Sequence, residues 1–371
     1  MLFAIDNHEE TANGYEQIAE LQRAMGDLSG ALESIKNALR KRNQLSTNAD
    51  TASTVEYLGL TYFEMGDYRS AREEFQKTAS MRMELLGEHE LTARSYHYLG
   101  LAQMSMKDRD AASISLRKAL EMRTKLLGDH VDTAMTFHFL GNNYRLMGAH
   151  HLALEALQKA ASIRTRLLGD HVDTATSCLF LAVVQREIGD LNGAFESVQK
   201  SLQLRQKLLG DHPDAAMSIH FLGRVYFAMN DNRLALEKFQ TALNMRSNLL
   251  GKHEETAFSF YHRGEVQKKM EDLDEAVESF QKSLQLRQEL LGNHSDTAAS
   301  FHSLGLAYFA LGDTSSALRS LQKAADMRSQ LLGCHENTVC SYQWLAEVQD
   351  SVGDLNGAIE SWKRAFEFAG V

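Results

Sequence analysis

Apolar and polar residues follow each other along this chain in blocks with helical spacing. Between Ala134 and Leu168, a break at Gly148 separates a first block from a second, longer one. Such spacing predicts two amphipathic helices. Glycine allows the left-handed conformation that ends a helix, and the aspartate that follows the glycine in other copies can cap the next helix. We therefore expect a short helix A and a longer helix B, packed as antiparallel neighbours.

A short acidic stretch with a histidine, such as Asp129-His130-Val131-Asp132, recurs along the chain and marks the end of each helix pair. Two copies start at His8 and Asn48, so the chain contains nine repeats, as in a solenoid whose repeats pack only against their neighbours. The other copies carry histidines at a constant step of 41 residues: His89, His130, His171, His212, His253, His294 and His335. The predicted repeats are residues 8–47, 48–88, 89–129, 130–170, 171–211, 212–252, 253–293, 294–334 and 335–371, and residues 1–7 are predicted to be the tail of a truncated upstream helix.

Two positions of every repeat hold only small residues, when Ala134 is counted as position one. Position eight is glycine or alanine and position twenty is always alanine, which lets helices A and B approach each other closely. The repeat resembles the tetratricopeptide repeat in its leucine-glycine, tyrosine, alanine, large apolar and alanine positions. In the second copy these are Leu58, Gly59, Tyr62, Ala71, Phe75 and Ala79.

Each repeat is longer than the common tetratricopeptide unit, because helix B continues into a segment of the form R-x-x-L-L-G-x-H-x-D-T-A. This extension is similar to that of the kinesin light chain and nephrocystin type. The resemblance implies an all-α fold, an alpha-alpha superhelix in which nine helix-turn-helix repeats form one right-handed solenoid domain over residues 1–371. The asparagine pair that holds the ligand backbone in kinesin light chain repeats is replaced here, for example by His138-Phe139, so the resemblance implies a mode of recognition rather than the same cargo peptides.

Position eleven alternates between glutamine and tyrosine without exception. We interpret this alternation as growth by duplication of a two-repeat block, and we expect successive interfaces to pack in two alternating ways. The residues are Gln22, Tyr62, Gln103, Tyr144, Gln185, Tyr226, Gln267, Tyr308 and Gln349.

Composition and charge narrow the functional class. The 371 residues include a single proline and no Ser/Gly-rich linker, which favours one helical array over several globular domains. A formal net charge of -10 argues against nucleic acid as a partner. No apolar run is long enough for a membrane span or a signal-peptide core, and the three cysteines contain no C-x-x-C pair. We expect a cytoplasmic protein without membrane insertion.

Neither end of the sequence shows the polar capping helix that terminal repeats normally need. We therefore expect either a fragment of a larger protein or a chain that closes its ends by forming a homo-oligomer.

The recurring histidines are the first candidates for chemistry, since aspartates accompany them. Successive copies are separated by two interhelical spacings of about 8–10 Å each, whereas metal ligands lie about 2.0–2.6 Å from their ion. We interpret the stretch instead as a turn, in which Gly128 ends helix B and Asp132 stabilises the first turn of the next helix A. No P-loop, dinucleotide fingerprint, nucleophile elbow or H-E-x-x-H motif is present. We predict no enzyme activity, no catalytic residue, no metal and no cofactor.

An arginine near the end of helix B recurs in eight copies. Binding a ligand would need only one or two of them, so we interpret the set as structural, with each guanidinium bridging to acidic groups of the adjacent turn. The residues are Arg42, Arg82, Arg123, Arg164, Arg205, Arg246, Arg287 and Arg328.

Positions that vary between copies are the candidates for recognition. Positions two, five, nine and twelve of helix A share one helix face, and in tetratricopeptide proteins this face lines the concave groove. The resemblance implies a groove with polar and basic side chains and apolar anchors, although a solvated helix surface would carry such charges too. The predicted partner-binding residues are His138, Asn142, Arg145, Arg186, His220, Arg224, Phe227, Lys268 and Phe309.

Two functions from different classes follow. The first is a non-enzymatic protein-protein interaction scaffold or adaptor that binds an extended, acidic-hydrophobic partner segment in the groove. The alternative is a sensor or autoregulatory repeat segment of a larger signalling protein, for example one that follows a nucleotide-switch domain. A narrower hypothesis is pH gating by His97, His138, His220 and His302, because an unperturbed imidazole changes charge near pH 6.5.

Overall fold

The computed structural model describes residues 2–44 and 49–370, with residues 2–7 described by their backbone only. This part of the chain contains eighteen α-helices and no strand. Odd-numbered helices are the predicted helices A and even-numbered ones the helices B, with 16 and 19 residues in the pair α7 and α8. The fold is therefore an all-α solenoid of nine helix-turn-helix repeats, as predicted. The helices are α1 Leu2–Ala24, α2 Leu28–Arg42, α3 Ala49–Glu64, α4 Tyr68–Leu86, α5 Glu90–Ser105, α6 Arg109–Leu127, α7 Val131–Leu146, α8 His150–Leu168, α9 Val172–Glu187, α10 Leu191–Leu209, α11 Pro213–Ala228, α12 Asn232–Leu250, α13 Glu254–Lys269, α14 Leu273–Leu291, α15 Ser295–Ala310, α16 Thr314–Leu332, α17 Glu336–Ser351 and α18 Leu355–Ala369.

The helices fall into two compact units, Met1–Gly189 with α1 to α9 and Asp190–Val371 with α10 to α18. A single domain over residues 1–371 stays a prediction. In the first unit α1 runs without a break from Leu2 to Ala24, so no turn at His8 separates residues 2–7 from the rest of the helix. Residue 1 of the predicted tail lies outside the described residues.

The recurring histidine stretch forms the turn from helix B to the next helix A, as predicted. Gly128 ends α6 with a φ of 61°, a conformation that glycine adopts without steric strain. His130 is the N-cap residue of α7, and its Nδ1 accepts a hydrogen bond from the backbone N–H of Asp132 at 3.2 Å. The same bond starts six further helices A, at 3.1–3.2 Å. The imidazole thus satisfies a backbone donor that would otherwise lack a helical partner.

The turn between helices A and B requires one residue in the left-handed region. Glycine occupies this place in six repeats, for example Gly148 with a φ of 76°. In the other three repeats Lys107, Asn230 and Glu271 adopt the same conformation, with φ values of 63°, 62° and 65°. Residues other than glycine and asparagine are strained in this left-handed region.

The small residue at position eight determines how closely helices A and B pack. A Cβ added to Gly59 would lie 2.7 Å from the ring of Phe75, and one added to Gly141 would lie 2.7 Å from Leu157. Both of these larger residues are fully buried. The glycine therefore creates the space that the apolar residue of helix B fills, and the core of each unit consists of these contacts repeated along the stack.

The alternation at position eleven corresponds to two kinds of packing. In four glutamine-type repeats a serine of helix B donates to the glutamine Oε1 of the same repeat, as Ser115 does to Gln103 at 2.7 Å. In three tyrosine-type repeats, those of Tyr62, Tyr226 and Tyr308, the ring contacts helix B of the preceding repeat. Gln281 Nε2 donates to Tyr308 Oη at 2.7 Å, and the centroid of the Tyr226 ring lies 5.6 Å from that of Phe195. The expected alternation is present.

The recurring arginine of helix B joins each repeat to the next, and we call the set the junction arginines. From Arg82 to Arg328, Nη1 donates to a main-chain carbonyl nine residues on and to a serine or threonine hydroxyl thirteen residues on. Arg123 lies 2.8 Å from Asp132 O and 2.7 Å from Thr136 Oγ1. Ion pairs with acidic groups of the adjacent turn, as predicted, are those of Arg42 with Asp50 and of Arg246 with Glu255. Arg42 and Arg82 also pair with Glu16 and Glu56 on helix A of their own repeats. Carbonyl and hydroxyl oxygens are thus the common partners.

Candidate partner-binding face

The predicted partner-binding residues lie on helices A of both units, and each unit has its own set. In the first unit, α7 and α9 carry His138, Asn142, Arg145 and Arg186. In the second unit, α11, α13 and α15 carry His220, Arg224, Phe227, Lys268 and Phe309.

At position five, His138 and His220 are buried, which corrects the prediction that these two side chains line an open groove. The two side chains are 6% and 3% exposed. The next helix A packs over them: the centroid of the His138 ring lies 4.7 Å from that of Phe180, and Ser259 Oγ lies 3.4 Å from His220 Nδ1. Helical spacing identified the face of helix A, but the periodicity of one helix does not show which part of that face the neighbouring repeat covers.

Burial also contradicts the pH-gating hypothesis. Desolvation lowers the pKa of His138 to about 4, and it lowers the pKa values of His97 and His302 to about 3. The pKa of His220 lies well below its usual value for the same reason. The positive charge of a nearby junction arginine acts in the same direction in each case. All four imidazoles are therefore neutral in the folded chain between pH 5.5 and 7.5.

In the first unit, the predicted partner-binding residue Arg145 already forms an ion pair within the chain. Arg145 Nη1 lies 3.1 Å from Glu187 Oε1 on the next helix A, and its Nε and Nη2 each lie 3.2 Å from Asn142 Oδ1. Arg186 is half-buried next to Glu187 in α9. A partner carboxylate would therefore have to compete with Glu187 for Arg145.

In the second unit, the two predicted apolar anchors are half-buried rings at the edge of the core. Phe227 packs against a cluster that includes Phe239, and Lys269 Nζ lies 4.8 Å from the centroid of the Phe227 ring. Phe309 packs against the cluster that includes Leu345. Each ring thus combines a structural contact with a partly open surface.

The two predicted cations of the second unit also have neighbours. Lys268 Nζ lies 3.3 Å from Glu265 Oε1 in the same helix. The guanidinium of Arg224 lies 5.3 Å from the centroid of the Phe221 ring, within the range of a cation-π contact. In this unit the face presents one cation beside an aromatic ring and one beside an acidic side chain.

The predicted set of partner-binding residues omits the acidic side chain on this face, Glu187. The spacing of oppositely charged residues along the sequence could have indicated its pair with Arg145. Glu187 follows Arg145 by 42 residues, and Glu64 follows its partner Arg23 by 41. Opposite charges about one repeat apart, near the ends of successive helices A, indicate ion pairs between repeats.

Among the side chains that the structure describes, those of residues 8–44 and 49–370, no group of three or more histidine, cysteine, aspartate or glutamate residues could hold a metal ion. None of the described helices has the length and apolar character required to cross a membrane.

Comparison with known proteins identifies the family to which the repeat belongs. A sequence model of the tetratricopeptide repeat matches residues 49–125, 99–166, 132–207, 178–248 and 255–330. The chain belongs to the tetratricopeptide repeat family. Kinesin light chain-like proteins are among the solved structures similar to this tetratricopeptide repeat chain. No curated protein sequence matches it.

Three solved structures share the fold at low sequence identity. BtubC (BKLC) from P. vanneervenii is 19% identical with a TM-score of 0.52, over 61% of this chain and 90% of that one. A Rap protein complexed with Competence and Sporulation Factor is 13% identical with a TM-score of 0.59, over 98% of each chain. The STAND protein PH0952 from Pyrococcus horikoshii, with a tetratricopeptide repeat sensor, is 12% identical with a TM-score of 0.68, over 97% of this chain and 53% of that one. At these identities the likeness supports the fold alone.

Proposed function

We propose that this tetratricopeptide repeat chain is a non-enzymatic interaction scaffold, or adaptor, that binds an extended segment of a partner protein on the helix A faces. The observation that carries the proposal is the contrast within helix A. Position eight is filled by packing and position five is buried in six of the nine repeats, whereas positions nine and twelve remain partly open and carry cations and rings that differ from repeat to repeat. Residues that the fold does not require are the ones available for recognition.

The chemistry of these positions favours an acidic segment with large apolar side chains. Arg145 and Arg186 in the first unit, and Arg224 and Lys268 in the second, supply donors for carboxylates. The open parts of the Phe227 and Phe309 rings supply apolar contact area. The Rap structure, a similar solenoid in complex with Competence and Sporulation Factor, is compatible with this mode of binding. A cytoplasmic location, the absence of a nucleic-acid partner and a homo-oligomer stay predictions.

A charge-reversal experiment tests this function. Partners are captured with the wild-type chain, identified by mass spectrometry and re-measured as purified proteins against two variants with equal charge change. The face variant carries Arg145→Glu, Arg186→Glu, Arg224→Glu and Lys268→Glu. The control variant reverses four exposed cations on helices B, Arg117→Glu, Lys159→Glu, Arg233→Glu and Arg319→Glu. We expect the face variant to lose affinity about tenfold or more, with a wild-type dissociation constant that rises with salt. Equal binding by both variants would refute the proposal.

A second candidate function is a sensor segment of a larger signalling protein. The similarity to PH0952 favours it, because that protein contains a tetratricopeptide repeat sensor and this chain covers 53% of its length. Sequencing the gene on both sides of this chain tests the idea. A neighbouring nucleotide-switch domain would support it, and an open reading frame without a further domain would exclude it.

A further inference from the structure

Helix α18 presents a stripe of large apolar side chains to solvent. Leu355, Ile359 and Phe366 are 60%, 55% and 52% exposed. The ring of Trp362 is half-buried, and its centroid lies 5.9 Å from that of Phe366. The four residues are three or four positions apart, so they share one face of the helix. We call them the α18 stripe, and a contiguous apolar face of this kind is typical of an interaction surface.

The same positions of α14 form the buried interface with the next repeat. Positions 21, 24 and 28 of α14 are at most 9% exposed. They belong to one cluster with Leu304 and Ala307 of α15, against which Tyr308 also packs. The α18 stripe is therefore one half of an interface that the solenoid forms elsewhere. The equivalent residues are Val277, Phe280 and Leu284 in α14, and Ile359, Trp362 and Phe366 in α18.

The beginning of α18 repeats the sequence of α10. Residues 189–194 and 353–358 both read G-D-L-N-G-A, and Glu-Ser follows one residue later in both segments. The residue between is Phe195 in α10 and Ile359 in α18. The centroid of the Phe195 ring lies 5.6 Å from that of Tyr226 on α11. Helix α11 is therefore a template for a helix that packs on the α18 stripe.

A tyrosine at position eleven is common to the helices A that pack on helices B of glutamine-type repeats. Lys36 Nζ lies 5.6 Å from the centroid of the Tyr62 ring. Gln281 Nε2 donates to Tyr308 Oη at 2.7 Å. Lys36 and Gln281 both occupy position 25 of their repeats, which is the position of the exposed Lys363 on α18. Since the ninth repeat is also of the glutamine type, α18 has the side chains that receive a tyrosine in the other copies.

We propose that the α18 stripe is a docking site for an amphipathic helix of a partner protein that has the pattern of a tyrosine-type helix A. Such a helix carries apolar residues at positions four, seven and ten and a tyrosine at position eleven. Docking would remove the stripe from water, as α15 does for α14, and would place the tyrosine ring beside Lys363. In α11 the four residues are Ile219, Leu222, Val225 and Tyr226.

A second copy of this chain matches the α18 stripe less well than such a partner helix. Helix α1 exposes Ile18 and Leu21 at positions seven and ten, so part of the apolar pattern is present. Its residue at position eleven is Gln22, whose Oε1 accepts a hydrogen bond from Ser34 Oγ at 2.7 Å. Because the tyrosine is replaced, we infer a partner protein, and self-association becomes an outcome that the experiment can detect.

This docking site is independent of the proposed function, because it lies on a helix B and uses none of the cations of the helix A faces. It can be tested on the full chain with a peptide of residues 212–231, which contains α11 and its N-cap residue His212. The affinity is measured by the fluorescence anisotropy of the fluorescein-labelled peptide. Isolated helices of this length are marginally stable in water, so the variants are compared by ratios of affinity.

The chain carries its own reporter of where the peptide binds. Its two tryptophans, Trp344 and Trp362, both belong to the ninth repeat, and the peptide contains none. A helix docked on the α18 stripe excludes water from the indole of Trp362. We therefore expect the tryptophan emission to shift to shorter wavelength at the same peptide concentrations that raise the anisotropy.

Matched variants separate the α18 stripe from other exposed apolar residues. Ile359→Asp places a charge within the stripe. Ile114→Asp makes the same change on α6, another helix B, where the isoleucine is 61% exposed. A second peptide carries Tyr226→Gln, which gives it the glutamine of the other repeat type. Far-UV circular dichroism checks that both chain variants keep the helix content of the wild type.

We expect Ile359→Asp to weaken peptide binding about tenfold or more, and Ile114→Asp to leave the affinity within about twofold of the wild type. Tyr226→Gln in the peptide should weaken binding about threefold to tenfold. Equal binding by the two chain variants, equal binding of the two peptides, or no binding by the wild type would overturn the proposal.

Sedimentation of the chain without peptide identifies self-association. We expect the wild type and Ile359→Asp to sediment alike. Oligomers of the wild type that Ile359→Asp dissociates would show that a second copy covers the α18 stripe, and they would also overturn the proposal.

Discussion

Replacement of Arg123 by methionine tests whether the junction arginines hold successive repeats together. Methionine retains an unbranched apolar stem, but Asp132 O and Thr136 Oγ1 lose a charged donor at 2.8 and 2.7 Å. Each such bond contributes about 1.5–3 kcal/mol, so the loss is about 3–6 kcal/mol. Two effects offset part of it: burial already disfavours the charge of Arg123, as its lowered pKa shows, and its buried Nε has no hydrogen-bond partner. We expect a net destabilisation of about 2–4 kcal/mol.

The assay is urea unfolding of the full chain followed by far-UV circular dichroism. The matched control is Arg117→Met on the same helix, where the side chain is exposed and the change should stay within about 0.5 kcal/mol. Arg123→Lys should fall between the two, because an ammonium keeps the charge but not the planar fork of donors. If Arg123→Met destabilises the chain no more than Arg117→Met, the junction arginines do not have the structural role assigned to them.

Three further predictions concern the turns and the buried histidines. Glu271→Gly should raise the free energy of unfolding by about 1 kcal/mol by relieving a φ of 65°, whereas Asn230→Gly should raise it less, because asparagine tolerates this region; equal gains in urea unfolding would contradict the argument. His130→Ala removes the cap acceptor of α7 and should lower stability by about 1 kcal/mol, and His130→Asn should largely retain it; thermal unfolding that ranks both variants together would count against an imidazole cap. His97 has a folded pKa of about 3 against a usual 6.5, so only the unfolded chain binds the proton between these values. The contribution of neutral His97 to the free energy of unfolding is complete above pH 6.5 and should fall by up to about 1.4 kcal/mol per pH unit below that pH. An unchanged pH slope of the urea midpoint in His97→Gln would refute this.

The fold could be predicted from the sequence because its determinants are local and repeated. Gly128 and its copies end helix B, the aspartates that follow the A–B turn cap the next helix, and Gly59 and Gly141 mark the closest approach of two helices. Each of these features acts within a few residues or within one hairpin. Nine copies of the same pattern also remove the ambiguity that a single copy would leave.

The candidate face could be predicted only in part. Helical spacing identified Asn142 and Arg145 as neighbours on α7, and they are hydrogen-bonded. It could not show that His138, four residues before Asn142, is buried, because the burial comes from Phe180 in the next repeat. Nor did it show that Arg145 is paired, since Glu187 belongs to another helix.

The sequence by itself determined the helices, their ends, the period and the small residues that close each hairpin, because these depend on backbone conformation and on contacts between neighbouring segments. Only the tertiary structure decided which side chains on helix A remain open and which charges are compensated, because both depend on atoms contributed by the adjacent repeat. The Arg145–Glu187 pair illustrates the difference. Its 42-residue spacing is present in the sequence, but only the structure places Arg145 Nη1 3.1 Å from Glu187 Oε1 on the next helix A.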